Sequence, residues 1–201
     1  MKVELESERK VLKAVRDIKG DLFIDIGALW GEYAINLADN FKEVWAFEPA
    51  GDSRGILEEN IKKYKKENIK VYPYALSNKR GEAQLWRHKD KIKGMTGIRK
   101  HYPYKDNEIV TLGKLLGKVE TRTLDELVNG RKVDLIKIDV EGSELEVLQG
   151  GNETLKNTKW IVIEIHSYKK RNINFFMSFF RERKFEIKEV GERRFLGWKR
   201  K

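Results

Sequence analysis

Residues 22–31 read Leu22-Phe23-Ile24-Asp25-Ile26-Gly27-Ala28-Leu29-Trp30-Gly31. Leu22, Phe23, Ile24 and Ile26 are apolar with Asp25 set among them, the composition of a strand buried on both faces. Gly27 and Gly31 follow at a spacing of four, and a helical pattern starts at Glu32. Strand, glycine turn and helix is the nucleotide-site layout of a doubly wound α/β fold. Gly27 lets the turn run close to a ligand, and Gly31 lets the helix pack near the strand. Asp25 is expected at the strand's end, facing the crevice.

Working outward, the nicotinamide-type G-x-G-x-x-G turn is absent. The acid two residues before the first glycine gives D-x-G-x-x-x-G, which resembles the pattern of S-adenosylmethionine (SAM) binders. Residues 43–49, Glu43 to Pro49, read as the next strand. Glu48 lies 23 residues after Asp25, where folds of this layout hold ribose hydroxyls. A carboxylate suits that task because it accepts from both hydroxyls. Pro49 ends the strand. Residues 68–76 read as a further strand, and in SAM binders the loop after it passes the adenine ring. That resemblance makes Ala75, Leu76 and Ser77 adenine candidates, and Gly27, Ala28, Gly31, Glu48 and Pro49 cofactor-binding candidates beside Asp25.

At 201 residues and 23.7 kDa the sequence reads as one domain over 1–201, able to fill one core. No cysteine is present, which excludes disulfides and thiolate metal sites. The N-terminus is charged rather than signal-like, and no apolar run matches a membrane span. The expectation is a soluble, cytoplasmic protein with no membrane partner. A charged fraction of 37%, no cysteine and two glutamines fit a heat-adapted composition. The net charge is +10, and residues 79–105 hold nine Lys or Arg against two acids. Such a basic segment suits an anionic partner, RNA among them, or is a solvated surface.

Residues 7–19 read as an N-terminal helix with Ser7 as cap and Gly20 as stop. A helix over 32–39 follows the glycine turn, and another over 53–66 directs Ile56, Leu57, Ile61 and Tyr64 inward. Residues 79–122 read as an insertion over the substrate side, with a short strand at 82–86 able to pair with 119–124. Trp86, Tyr102 and Tyr104 there either stack on a flat substrate or pack. The long 87–110 stretch points to function or disorder. Residues 125–128 form a short helix. Val133 to Gly142 is a second buried strand, ending in Asp139 and Glu141; Ser143 is placed as cap of the next helix, with Leu145 and Leu148 inward. A strand over 159–165 ends Glu164-Ile165-His166. A helix over 173–183 and a hairpin of 185–190 with 194–198 complete the chain.

Taken together, Asp25 to Gly31, Phe47-Glu48-Pro49 and Leu135-Ile136-Lys137-Ile138-Asp139-Val140-Glu141-Gly142 resemble the FkbM-type family of SAM-dependent methyltransferases. Thr123-Leu124-Asp125 and Glu164-Ile165-His166 extend the resemblance over about residues 20–170. It implies the class I Rossmann-like fold: a seven-stranded, mostly parallel sheet, helices on both faces, and an antiparallel strand from the C-terminal hairpin. It also implies SAM as methyl donor, usually for O-methylation. The family commonly has Asn where this chain has Leu29.

Methyl transfer needs in-line positioning, and an alcohol acceptor benefits from a base. Asp139, Glu141 and His166 are the catalytic candidates, and His166 has the suitable intrinsic pKa. Asp139 and Glu141 could instead hold the methionine amine. No ligand spacing matches a metal motif, so no metal is assigned, although two of these carboxylates, Glu164 and an imidazole form a set that a divalent ion can use. The reading is O-methylation of a small or anionic acceptor. The alternatives are an RNA methyltransferase using the basic surface, or a non-catalytic protein that keeps the SAM fold for binding.

Overall fold

The computed structural model describes residues 6–87, 96–98, 101–103, 109–111, 113–166 and 170–200. Tyr104 and much of the 87–110 stretch lie outside them. The first elements are α1 (Glu6–Val15), β1 (Gly20–Ile26), α2 (Glu32–Leu37), β2 (Phe41–Phe47), α3 (Gly51–Lys63) and β3 (Ile69–Tyr72). Then come β4 (Ala75–Leu76), β5 (Gly81–Arg87), β6 (Thr96–Gly97), β7 (His101–Pro103), β8 (Ile109–Thr111) and β9 (Lys114–Arg122). The last are α4 (Leu124–Val128), β10 (Val133–Ile138), α5 (Glu144–Gly150), α6 (Asn152–Lys156), β11 (Thr158–Glu164), α7 (Lys170–Glu182), β12 (Glu186–Gly191) and β13 (Arg194–Trp198).

Seven strands form one sheet in the order β12-β13-β11-β10-β1-β2-β3. The five strands from β3 to β11 are parallel, and β13 runs antiparallel between β11 and β12. The period of two along each strand feeds two separate cores. Leu22, Ile24 and Ile26 of β1, with Trp45, Phe47, Ile136 and Ile138, face α4 to α7. Phe23, Val44, Ala46 and Leu135 face α1 to α3. Burial on both faces is why these strands read as apolar runs.

Several boundaries differ from the sequence expectation. Helix α1 ends at Val15, not near residue 19, because Ile18 N–H bonds the Val15 carbonyl (3.0 Å) in a tight turn. Gly20 therefore opens β1 instead of stopping a helix. The expected 68–76 strand is broken at Pro73, which has no N–H for a ladder. Its second part, β4, belongs to a different sheet, ordered β4-β9-β5-β6. There β5 pairs antiparallel with β9, with Ala83 opposite Val119, so the expected pairing is present on a longer strand. Ser143 stands at the N-cap of α5 without a side-chain cap bond; Val147 and Leu148 are buried there, and Leu145 is half-buried.

In α3, Leu57 is fully buried, whereas Ile56 is 41% and Tyr64 49% exposed. The buried stripe runs through Ser53 and Leu57, one turn apart, and Ile56 lies about 100° away from Leu57 around the axis. Leu57→Ala should therefore cost about 3 kcal/mol, and Ile56→Ala no more than about 0.5 kcal/mol, as read from urea unfolding midpoints.

Candidate active site

The C-terminal ends of β1, β2 and β10 open into one cleft. Gly27, Leu29, Glu48, Pro49, Tyr74, Ala75, Leu76, Asp139, Glu141 and Ser143 line it, and Leu85, Thr96 and Gly97 of the second sheet, with Ile98 just after β6, form a further wall. This is the switch-point crevice at strand ends where open α/β sheets bind ligands.

Gly27 has φ 77°, and a β-carbon there would sit 1.9 Å from the Asp139 carbonyl oxygen. No side chain fits, because the obstacle is backbone of the neighbouring strand end. Gly31, at φ 90°, comes so close to α3 that a β-carbon would lie 2.5 Å from Leu57 Cδ1. Thus Gly27 belongs to the cleft and Gly31 to the packing behind it.

Asp25 does not face the crevice as expected. It shares the face of Phe23, is fully buried, and accepts the Ala34 N–H of α2 at 3.0 Å. Burial raises its pKa, and Lys137 partly offsets the rise. Lys137 stands directly beside it in the parallel register of β1 and β10. Lys137 Nζ lies 3.4 Å from Asp25 and 3.6 Å from Asp139, and donates to the Gly27 carbonyl at 2.9 Å. Sequence reasoning passed over Lys137, although a lysine inside an otherwise apolar strand signals a buried partner. Ala28 also lies off the cleft, packed in the core of α1 to α3.

Glu48 is 2% exposed. Its two oxygens accept N–H groups from Leu29 and Ala50, both at 2.9 Å. Burial pushes its pKa up to about 7. Each oxygen still has a lone pair for a hydroxyl in the cleft. Leu29, at φ 50°, occupies a left-handed conformation in which Asn is more at home. Beside Ala75 and Leu76, Tyr74 was missed; it stacks on Tyr72 (6.3 Å between centroids) under the Arg122 guanidinium. The Ser143 hydroxyl is buried at the cleft and has no hydrogen-bond partner among the described residues.

His166 lies behind Asp139 and Glu141, outside the cleft lining. Its Nδ1 is 2.7 Å from Glu144, and its Nε2 is 3.3 Å from Glu141, 3.7 Å from Glu164 and 3.8 Å from Asp139. Burial opposes its charge, but Glu141 and Glu144 outweigh that and raise its pKa to about 10. As an imidazolium it donates from both nitrogens and has no lone pair for a proton. The intrinsic pKa that recommended it as a base does not survive this surrounding. Asp139 is pushed up by burial, but Lys137 and then His166 and Arg194 outweigh this, so its pKa is lowered. Glu164, raised to about 7 by burial and by Asp139, is held by Arg194 at 2.7 Å.

Strand order, glycine turn and acid-lined cleft define the class I SAM-methyltransferase fold. Within that class the Methyltransferase FkbM domain matches residues 25–187, and the chain belongs to this family. It is 27% identical over 169 residues to the hexuronic acid methyltransferase AglP of Haloferax volcanii, covering 82% of this chain. The chain spans 64% of the length of that curated relative. Among solved structures it resembles methyltransferase FkbM from Methylobacillus flagellatus, with TM-score 0.61 and 17% identity over 89% of this chain and 43% of that one. It also resembles SMU.1697c of Streptococcus mutans, solved in complex with SAH, with TM-score 0.55 and 10% identity over 96% of both chains. At these identities the structural likeness is one of fold.

Among the described residues no helix is long and apolar enough to cross a membrane. Lys137→Met should cost about 3 kcal/mol of stability, because it leaves the buried Asp25 without its cation. Lys188→Ala, on an exposed position of β12, should change stability by no more than about 0.5 kcal/mol. Denaturant unfolding of both variants checks the contrast.

Proposed function

We propose that the chain binds SAM in this cleft and methylates an oxygen of an anionic, sugar-type acceptor. The observation that carries the cofactor assignment is Glu48, a buried carboxylate fixed by two backbone N–H groups at a cleft mouth where Gly27 leaves room for no side chain. The orphaned Ser143 hydroxyl is a second polar group that a bound ligand would satisfy. When bound, SAM supplies an electrophilic methyl on a sulfonium.

The chain's own part is to hold and to exclude. Glu48 accepts the ribose hydroxyls. Tyr74, Ala75 and Leu76 offer an aromatic and apolar surface to the adenine. Gly27 and Leu29 let the backbone approach the methionine portion, and Pro49 fixes the turn after Glu48. Asp139, kept ionised by Lys137, is placed to hold the methionine amine or the acceptor. Glu141, the other carboxylate lining the cleft beyond it, accepts the proton that the acceptor hydroxyl loses as the oxygen–carbon bond forms. Asp25, Ala28 and Gly31 support the turn from behind without touching the ligand.

The acceptor class rests on two supports: the name of the Haloferax relative, which acts on a hexuronic acid, and the net charge of +10, which favours anions. Labelled SAM should transfer its methyl to a uronic-acid-containing oligosaccharide and not to its neutral counterpart. Label entering RNA instead would overturn the acceptor class and leave the cofactor assignment standing. Calorimetric absence of SAM binding would overturn both.

A pH dependence follows from Glu48. Below about 7 the protonated carboxyl loses an acceptor site; above it the carboxylate accepts from both hydroxyls. SAM affinity should therefore rise between pH 6 and 8. Glu48→Gln should bind about tenfold or more weakly and show a flat profile across that range.

A further inference from the structure

Behind the cleft, three side chains from the ends of two neighbouring strands converge: Asp139 after β10, and Glu164 and His166 at the end of β11. Their ligand atoms all lie within 4.8 Å of one another. Each is oriented by a partner on its other side. Glu144, itself buried and accepting the Gly142 N–H, takes the Nδ1 side of His166 at 2.7 Å and turns Nε2 toward the carboxylates. Arg194 takes Oε2 of Glu164 at 2.7 Å, and Oε1 lies 3.7 Å from both His166 Nε2 and Arg193 Nη2. Lys137 stands 3.6 Å from Oδ2 of Asp139, leaving Oδ1 toward the same point.

The Asp139 and Glu164 oxygens lie 3.8 and 3.7 Å from Nε2, a few tenths of an ångström wider than the roughly 3.0–3.4 Å between donors that share one ion at bond lengths of about 2.1 Å, so an ion would draw the three side chains slightly together. A carboxylate on the far nitrogen of a ligating histidine is the arrangement that fixes its tautomer and raises its basicity. Carboxylate oxygens with one imidazole suit manganese, magnesium or zinc rather than a soft metal.

We propose that Asp139, Glu164 and His166 Nε2, which gives up its proton to solvent as the ion binds, hold one divalent cation at the inner wall of the cleft, with Glu144 positioning His166. Asp139 and Glu141 line the cleft, so the ion would meet the acceptor oxygen from that side. Its role in the reaction rests on the methyl-transfer reading above; its binding does not. In that role the ion lowers the pKa of a bound hydroxyl. The oxygen then takes the methyl as the sulfur–carbon bond breaks, and its proton passes to Glu141.

The test is a titration of the SAM-free, 201-residue chain with Mn2+, followed by the electron paramagnetic resonance signal of the free ion. Uptake of one Mn2+ per chain is expected, weakened about 10–100-fold by Glu144→Gln and abolished by His166→Gln and by Asp139→Asn. Circular dichroism melts identify a variant that fails to fold, and Glu164→Gln then takes its place. An undiminished free-ion signal with the wild-type chain would overturn the site, leaving a proton as the partner of Nε2. Equal uptake by folded variants would place the ion elsewhere and also overturn it. SAM affinity measured with chelator present reports the cofactor pocket separately, so a failure of one reading is distinguishable from a failure of the other.

Discussion

One ammonium group holds the central strands in their functional arrangement. Parallel pairing sets Lys137 of β10 beside Asp25 of β1, on the face that packs against α1 to α3. From there Lys137 reaches Asp25, the Gly27 carbonyl and Asp139. Two carboxylates and a carbonyl oxygen at adjoining strand ends would repel in a medium of low dielectric. Lys137 makes their proximity tolerable, and with it the contact of the glycine turn on the β10 end. Asp25, anchored to Lys137, in turn accepts the first-turn Ala34 N–H of α2. The turn, the helix start and the cleft acid are therefore positioned by one buried network. A network of this kind is costly when broken, more than it is a large net source of stability.

The same economy of charge separates two chemical environments across the cleft. On the β2 side, Glu48 meets backbone N–H groups at both oxygens, and burial dominates its titration. On the β10 side, Asp139 sits close to Lys137 and is held ionised. Carboxylates lining one cleft are thus pushed in opposite directions by their surroundings, the usual way in which one site acquires groups with different tasks. His166 extends the pattern. An imidazole among Asp139, Glu141, Glu144 and Glu164 is held as a cation, and its field is set by neighbours from the loop after β10, from α5 and from β11 together.

How far the sequence carried depended on whether a role was local. The buried strands, the parallel core and the C-terminal hairpin were legible because apolar runs and turn residues report burial directly. The place of Glu48 at the cleft was legible because its distance from the glycine turn follows from one strand–helix–strand passage. Asp25 was misplaced because its side depends on the phase of a two-residue alternation, and a neighbouring phenylalanine faces the same helices. Tyr74 was missed because the break at Pro73 moves the chain into the second sheet, a tertiary event that no local pattern announces. The fate of His166 was illegible for a similar reason: Glu141 and Glu144 come from a segment more than 20 residues upstream in the sequence, and only the fold brings them around one ring.

Two of the six described non-glycine residues with left-handed backbone lie at the cleft. Leu29 and Glu141 are both non-glycine residues in the left-handed region, with φ 50° and 52°, in the loops that follow the two central strands. Each such residue costs on the order of 1 kcal/mol. Leu29 in that conformation points its N–H at Glu48, and Glu141 brings its carboxylate to within 3.3 Å of His166 while lining the cleft. An extended backbone at either position would carry the chain away from the strand ends and open the cleft. The sheet can impose these conformations because its strands are packed on both faces and cannot yield locally. The two-sided core thus supplies the rigidity that holds Leu29 and Glu141 in these conformations at the cleft.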